Sequence, residues 1–247
     1  MELIELTGRL SARDDAEAAR IRALLPAHIE ATRAEPGCLR FDVEEVGARL
    51  WQVDELFTDD DAFAAHQTRA GGSAWGQGTA AAPRDYRRST VAPEISPEDA
   101  TCADGIRALH LAAFDSAAEA GLVDDLRRDG DLALSLVARV GGVVLGHIGF
   151  SPVSADAPLF ALAPVAITPR LQDRGLGSAL IRAGLDAIAP AAVVVMGDPT
   201  LYRRFGFRAV PGWRSPYAGP FLMALRHDAL PRDAQITHAP AFAALGG

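Results

Sequence analysis

Two glycines, Gly175 and Gly177, stand between an apolar run at 159–167 and a stretch of helical periodicity that extends to about residue 188. The run predicts a β-strand and the periodic stretch an amphipathic helix, so both glycines fall in the loop that enters the helix. Glycine lets a backbone come close to a ligand without a Cβ in the way, and the first N–H groups of a helix have no partner within it. Such a loop favours a phosphate or diphosphate group, although the same residues are also typical of a plain tight turn.

A second set of residues that could do chemistry follows about one strand later. The apolar run 192–197 predicts another strand, and Asp198 comes directly after it, with Tyr202 four residues further on. A carboxylate can take up a proton, and a phenol can donate a hydrogen bond or a proton to a leaving group. The alternative for Tyr202 is a helix residue that only packs its ring, and Phe205 and Phe207 are interpreted as core residues.

Taken in this order, the two motifs resemble those of the GCN5-related N-acetyltransferase (GNAT) family. The acetyl-CoA loop of that family, Gln/Arg-x-x-Gly-x-Gly/Ala, is met by Gln172, Gly175 and Gly177, and its late tyrosine before a Gly-Phe pair is met by Tyr202. The sequence around Tyr202 resembles that of a bacterial branch of N-acetyltransferases, which usually has two adjacent tyrosines. In this chain Leu201 occupies the position of the first of the two. The resemblance covers about residues 88–247.

This resemblance implies an enzyme that moves an acetyl group from acetyl-CoA to a primary amine, by direct attack in a ternary complex. It implies that the end of the central strand and the glycine loop hold acetyl-CoA, through Val165, Ala166, Ile167, Gln172, Asp173, Arg174, Gly175, Leu176, Gly177 and Ser178. Tyr202 takes the role of the general acid. Because a phenol (pKa about 10) is a weaker acid than a thiol (about 8.5), full proton transfer is uphill by about 2 kcal/mol, and a hydrogen bond to the departing sulfur is the safer expectation.

The general base is not fixed by the motifs. Asp198 is a candidate because it follows the fifth strand, where the cleft of the family opens. Glu119 lies between two predicted helices in the region that shapes acceptor pockets, and His147 lies on a predicted strand. A chain of water molecules is a further alternative, and the acceptor amine itself is open.

Length and composition limit the other possibilities. The 247 residues are enough for two domains, and 49% hydrophobic residues are enough for two cores. The net charge of −8 argues against binding to nucleic acid or to anionic membranes. The sequence shows no pattern of a signal peptide, a membrane span or a metal-ligand set. Its two cysteines, Cys38 and Cys102, are isolated, which predicts reduced thiols in a cytoplasmic protein.

The first part of the chain has the order strand, helix, strand, strand, helix, which predicts a ferredoxin-like fold of the dimeric α+β barrel type. The turn 35–38 (Glu-Pro-Gly-Cys), with His28 before it and His66 after it, resembles the antibiotic-biosynthesis-monooxygenase (ABM) family. That family forms small dimeric domains, some of which oxygenate quinols or polyketides without a cofactor. Trp51 and Trp75 complete the polar and aromatic set that such a site could use; the alternative is that Trp51 packs in the core and that His66 caps a helix or satisfies its polar groups.

The sequence therefore predicts an α+β chain with an ABM-like domain at 1–86 and a GNAT domain at 87–247. The segment 86–91 is either the last strand of the first domain or the first strand of the second. Ser96 and Pro97 predict the start of a helix that runs to about residue 114, and the spacing of Ser116 and Glu119 predicts the start of another that ends near Gly130. We expect the first domain to pair two chains or to shape the acceptor site; the alternatives are a non-catalytic acyl-CoA-binding protein and a monooxygenase activity in the first domain.

Overall fold

The structure, a computed structural model, describes residues 1–246 in two compact units, Met1–Ala92 and a second unit that begins at Pro93. The strand Arg84–Val91 pairs with the first strand of the chain, so it belongs to the first unit. The units therefore divide after Ala92, later than the boundary expected after residue 86. Gly247, the last residue of the expected second domain, lies outside the described residues.

The first unit is a four-stranded antiparallel sheet with three helices. Its order β2-β3-β1-β4 and its strand-helix-strand-strand-helix sequence are those of a ferredoxin-like fold, which confirms the expected fold class. The elements are β1 (Leu3–Ser11), α1 (Asp15–Arg33), β2 (Cys38–Gly47), β3 (Leu50–Phe57), α2 (Asp60–Gly72), α3 (Ala74–Gly78) and β4 (Arg84–Val91).

Local sequence explains these elements. Asp14 caps α1 and Asp59 caps α2, each accepting a hydrogen bond from a first-turn N–H, as residues of this type do at helix starts. Alternate side chains of β1 and β3, such as Leu10 and Trp51, are buried and pack in one core with Ile21 of α1. The helix α1 continues without interruption through Pro26.

The second unit is a seven-stranded mixed sheet with helices on its faces, in the order β10-β11-β9-β8-β7-β6-β5. Its elements are β5 (Glu94–Pro97), α4 (Ala103–Ala113), α5 (Ala118–Asp129), β6 (Leu134–Val140), β7 (Val143–Val153), β8 (Leu159–Ile167), α6 (Leu176–Ala187), β9 (Ala192–Met196), α7 (Pro199–Tyr202), β10 (Arg208–Ala209) and β11 (Leu222–Leu225). The expected end of α5 at Gly130 is confirmed, since Gly130 has a left-handed φ of 79°.

The two central strands separate part of the way along their length. β8 and β9 run parallel, and their pairing joins Leu159–Ala161 to Ala192–Val194 and ends there. Next to this point β8 bulges against β7, since Ile148 pairs with Val165 and Phe150 with Leu162. Beyond the last pair, the backbone N–H and C=O groups that β8 directs toward β9 make no ladder hydrogen bonds with that strand. The sheet therefore opens a gap between its central strands.

The expected helix start at Ser96 and Pro97 is wrong. These residues lie in β5, the edge strand, where Ser96 pairs with Val137. Proline is tolerated on an edge strand because its missing N–H faces no neighbour. The helix α4 begins instead at Ala103, after a turn in which Asp99 accepts a hydrogen bond from the N–H of Thr101 at 2.9 Å.

A chain of polar groups links α4 to the sheet, and its members His110, His147 and Ser135 are buried. His110 Nε2 lies 2.8 Å from His147 Nδ1, and His147 Nε2 lies 2.9 Å from Ser135 Oγ. The Ser135 hydroxyl donates to Glu98 at 2.6 Å, and Glu98 is paired with Arg127 at 2.9 Å. Burial lowers the pKa of His147 to about 3 and that of His110 to about 4. Both rings are therefore neutral at pH 7, and both nitrogens of His147 are engaged in the chain.

We expect the free energy of unfolding of the second unit to fall as the pH drops below about 6.5, the pKa of histidine in an unfolded chain. Between about pH 6.5 and 4 the unfolded chain takes up protons at His110 and His147 while the folded chain does not. The stability is fully present above this window and is lost as the pH falls, by about 1.4 kcal/mol per pH unit for each histidine. Urea unfolding from pH 7.5 to 5.0, followed by the fluorescence of Trp213 in a chain with Trp51→Phe and Trp75→Phe, measures this slope.

The variant His147→Gln provides the control for this slope. It removes one of the histidines of this unit whose pKa is lowered by burial, which are His110, His147 and His238, so the pH dependence should become less steep by the share of one histidine even where the midpoint itself changes. A slope that is the same in both chains, or no loss of stability down to pH 5, would contradict the assignment.

Candidate active site

The loop that enters α6 forms one wall of an open groove of about 370 Å³ at the end of β8. The groove is floored by the end of β8, and the other residues come from the loop, from α6 and from the segment after β9. Its lining residues are Val165, Ile167, Leu171, Gln172, Asp173, Gly175, Gly177, Ser178, Ile181, Leu201 and Arg204. Seven of the ten residues expected to hold acetyl-CoA are in this set: Val165, Ile167, Gln172, Asp173, Gly175, Gly177 and Ser178.

The start of α6 differs from the starts of α1 and α2. Gly175 occupies the N-cap with a φ of 90°, a left-handed conformation that favours glycine, and no side chain caps the first turn. The first-turn N–H groups, which a helix leaves without an internal partner, therefore remain available at the groove. Together with the positive end of the helix dipole they form an anion-binding surface.

Three of the expected residues lie elsewhere. Ala166 points to the opposite face of the sheet, where it pairs with His147 and is buried, because successive side chains of a strand alternate. Leu176 is buried in the core, and Arg174 is not part of the groove lining. The cation that lines the groove is instead Arg204, whose Nη2 lies 3.4 Å from Ser178 Oγ.

A second cavity, of about 230 Å³, is also lined by the end of β8. Val165 lines both the groove and this cavity, so the two meet at the gap between β8 and β9. Side chains of α5, β9 and the last segment of the chain surround it. The lining residues are Phe114, Glu119, Leu122, Ala161, Leu162, Ala163, Pro164, Val165, Val194, Val195, Met196, Tyr202, Tyr217, His238, Phe242 and Leu245.

Tyr202 forms part of the wall of the second cavity. Its ring is 5% exposed and packs edge-to-face on Phe207, with 5.6 Å between the ring centroids. It also lies so close to Gly197 that a Cβ on that glycine would come within 2.4 Å of the ring. Burial raises the pKa of Tyr202 to about 12, so the phenol is protonated at neutral pH and can donate a hydrogen bond.

The three candidates for the general base have different surroundings. Asp198 caps α7, where its Oδ1 accepts a hydrogen bond from the N–H of Thr200 at 2.8 Å, and it lines neither the groove nor the cavity. His147 is buried in the chain described above. Of the three, Glu119 is the one that lies in the cavity with Tyr202.

Four residues of the cavity that sequence reasoning missed come from the end of the chain. Tyr217 and His238 lie in irregular segments, where no period marks a side chain as facing a site, and Phe242 and Leu245 lie in the short 3₁₀ helix Pro240–Gly246. The hydroxyl of Tyr217 donates to the carbonyl oxygen of Phe242 at 2.7 Å. This bond ties two distant segments together over the cavity.

The candidate residues of the first unit lie between its sheet and its helices. Trp51 is a core residue, 1% exposed. His28 is stacked on Trp75 with 4.6 Å between the ring centroids, and His66 Nδ1 lies 3.0 Å from Glu35 Oε2. Burial lowers the pKa of His28 to about 3. His28 and His66 are therefore buried in a packed core that contains polar side chains.

Among residues 1–246, no group of three or more His, Cys, Asp or Glu side chains has the arrangement of a metal site. Within the same range no helix is long and apolar enough to cross a membrane.

Two models of known families match the chain, one in each of its two compact units. The family model described as "Acetyltransferase (GNAT) family" matches residues 103–207, which include the groove, the gap and Tyr202. The model described as "Antibiotic biosynthesis monooxygenase" matches residues 4–75. Both resemblances found in the sequence are confirmed.

Individual relatives match the second unit. The N-acetyltransferase YhbS of Escherichia coli strain K12 is 46% identical over 112 residues, which are 42% of this chain and 67% of that protein. The crystal structure of YhbS in complex with CoA matches with a TM-score of 0.58 at 34% identity, over 62% of this chain and 93% of that chain. A GNAT acetyltransferase from Brucella melitensis in complex with acetyl-CoA matches with a TM-score of 0.53 at 35% identity, over 61% and 97% of the two chains. The chain therefore belongs to the GNAT family of acetyltransferases.

Proposed function

We propose that this protein transfers the acetyl group of acetyl-CoA to a primary amine, in a ternary complex formed where the groove and the cavity meet. The proposal rests on one observation: the groove and the cavity meet at Val165. The uncapped start of α6 lies at the groove, and Tyr202 lies at the cavity. The similarity to YhbS with bound CoA and to the Brucella melitensis enzyme with bound acetyl-CoA supports the same assignment.

In this proposal the groove holds the nucleotide end of acetyl-CoA. The first-turn N–H groups at Gly177 and Ser178 bind the diphosphate oxygens, and the helix dipole adds to their attraction. Arg204 lies at the same groove and supplies a positive charge to the phosphates. The absence of a side-chain cap on α6 fits such a ligand, since a capping side chain would compete for the same N–H groups.

The gap between β8 and β9 then directs the thioester into the cavity. Backbone groups of β8 beyond its last pair with β9 hold the pantetheine arm and polarise the thioester carbonyl, which places the reacting carbon against the amine. Tyr202 keeps its proton at neutral pH and donates a hydrogen bond to the sulfur as the C–S bond breaks. Hydrogen bonding, rather than full proton transfer, is the role that the raised pKa allows.

The test combines binding and turnover. Calorimetry with CoA should show binding, and release of the CoA thiol from acetyl-CoA should depend on an added amine. Binding of CoA with thiol release at background for every amine tested would instead identify a non-catalytic acyl-CoA-binding protein. No heat with CoA would contradict both assignments.

We further propose that the first unit pairs two chains or shapes the acceptor site, in a cytoplasmic homodimer. The match to the ABM model supports a pairing domain of this fold, and the close packing around His28 and Trp75 supports a structural role for these rings. Oxygenation of a quinol by the first unit is the alternative, and oxygen uptake by the full chain with a quinol would reveal it.

A further inference from the structure

The second cavity has a distinctive chemistry. Aromatic rings of Phe114, Tyr202, Tyr217, His238 and Phe242 form much of its wall, together with aliphatic side chains. Glu119 supplies the one carboxylate among the described residues that line it, and none of these is lysine or arginine. Aromatic faces and a carboxylate attract a cation with an apolar body, and a substrate carboxylate would find no basic partner here.

The carboxylate of Glu119 is held in place. Glu119 lies in the first turn of α5, and its Oε2 accepts a hydrogen bond from the Ser116 hydroxyl at 3.2 Å. The side chain is half-buried, with the cavity beside it. The positive end of a helix dipole also attracts a carboxylate at the helix N-terminus. Glu119 therefore presents a fixed negative charge to whatever fills the cavity.

His238 does not offset this charge. Its ring packs edge-to-face on Tyr217, with 5.0 Å between the centroids, and its Nδ1 is buried without a hydrogen-bond partner among the described residues. Burial lowers the pKa of His238 below its ordinary value, so the ring is neutral at pH 7. The cavity is thus negative at the pH at which an amine carries its proton.

The size of the cavity limits the acceptor. Its volume of about 230 Å³ is below the range of about 300–1,000 Å³ typical of sites for drug-sized ligands. A single ring with a short aminoalkyl chain has this size. Residues that close the cavity, including Tyr217 and Phe242, lie beyond residue 207, where the match to the family model ends.

We propose, on the basis of the function proposed above, that the acceptor is a small primary amine with one apolar or aromatic body and no carboxylate, and that Glu119 binds its ammonium group. The bound ammonium gives one proton to the Glu119 carboxylate, which passes it to solvent. The nitrogen lone pair then forms the C–N bond, and the C–S bond breaks with its electron pair on sulfur. The nitrogen gives up its second proton in this step, and that proton ends on sulfur, so the products are the N-acetylamine and the CoA thiol.

A matched panel of amines tests the acceptor class. 2-Phenylethylamine and L-phenylalanine share one body and differ by a carboxylate, and spermidine carries positive charge without an apolar ring. We expect kcat/KM for 2-phenylethylamine to exceed that for the other two by at least about a hundredfold, as expected where a buried charge lacks its partner. A preference for L-phenylalanine or for spermidine would overturn the proposed class.

The variant Glu119→Gln tests the role of the carboxylate. It keeps the shape of the side chain and its contact with Ser116 but removes the charge, so kcat/KM for 2-phenylethylamine should fall about tenfold to a hundredfold, through a higher KM and, because the proton acceptor is lost, a lower kcat. The KM for acetyl-CoA should stay unchanged, which a general loss of structure would not produce. Glu94→Gln, the same change at an exposed edge-strand position, should leave every constant unchanged.

The two proposals fail in different ways. Turnover of other amines with no effect of Glu119→Gln on the amine KM would overturn the acceptor assignment and leave acetyl transfer standing. Background turnover with every amine, despite binding of CoA, would overturn acetyl transfer itself. If Glu119→Gln raised the KM for the amine and the KM for acetyl-CoA alike, Glu119 would have a structural role and the proposed ammonium site would be rejected.

Discussion

A chain with Gly177→Asp is expected to bind CoA about a thousandfold more weakly than the parent chain. The new carboxylate would stand at the start of α6, in the groove assigned to the diphosphate. Two unit charges about 4 Å apart repel by about 4 kcal/mol at the effective dielectric constant of about 20 found near protein surfaces, which is about three factors of ten in affinity. Calorimetric titration with CoA measures the loss.

The structure separates this charge effect from damage to the fold. A Cβ at position 177 would lie 3.4 Å from Ile167 Cγ1, which is ordinary contact, so Gly177→Ala should fold and bind CoA nearly as the parent does. Gly142→Asp adds the same charge in a hairpin where a Cβ meets nothing within 4 Å, and it should also leave binding unchanged. Wild-type affinity in Gly177→Asp, or an equal loss in Gly142→Asp, would show that this groove is not where the diphosphate binds.

The variant Tyr202→Phe is expected to lower kcat for acetyl transfer by about a hundredfold while the affinity for CoA stays the same. It removes the hydroxyl that is proposed to donate to the departing sulfur, and loss of a single hydrogen bond of this kind costs about 10²–10³ in rate. The ring remains, so its packing on Phe207 is kept. Single-turnover measurement of thiol release, alongside calorimetry with CoA, separates the two quantities.

Gly197→Ala tests the same role without touching the hydroxyl. A Cβ at position 197 would come within 2.4 Å of the Tyr202 ring, so the ring must move. We therefore expect Gly197→Ala to slow transfer as well, whereas Gly142→Ala, where a Cβ meets nothing, should not. Turnover that is unchanged in both Tyr202→Phe and Gly197→Ala would rule out this tyrosine as a catalytic residue.

Much of the second unit could be predicted because its signals are local. The spacing of Gln172, Gly175 and Gly177 before a periodic stretch marks a loop that enters a helix, and the structure places all three at the groove. The run 159–167 is a strand with the predicted bounds. Chain geometry alone relates such residues, since they lie within a few positions of one another.

Other predictions failed where one local pattern fits two structures. Ser96 and Pro97 resemble a helix start, but pairing of Ser96 with Val137, more than forty positions along the chain, makes them an edge strand. Alternation shows that Val165 and Ala166 point to opposite faces of β8, but it does not show which face meets the ligand. Only the position of α6 on one face decides this.

The sequence by itself determined the two families, most of their elements, the glycine loop of the groove and the motif around Tyr202, because each of these depends on residues close together in the chain. The tertiary structure alone decided which side chains share the second cavity. Glu119 of α5, Tyr202 of α7 and His238 of the last segment of the chain are brought together there. No local pattern encodes that meeting, because it depends on long-range contacts that bury apolar surface from all three segments at once.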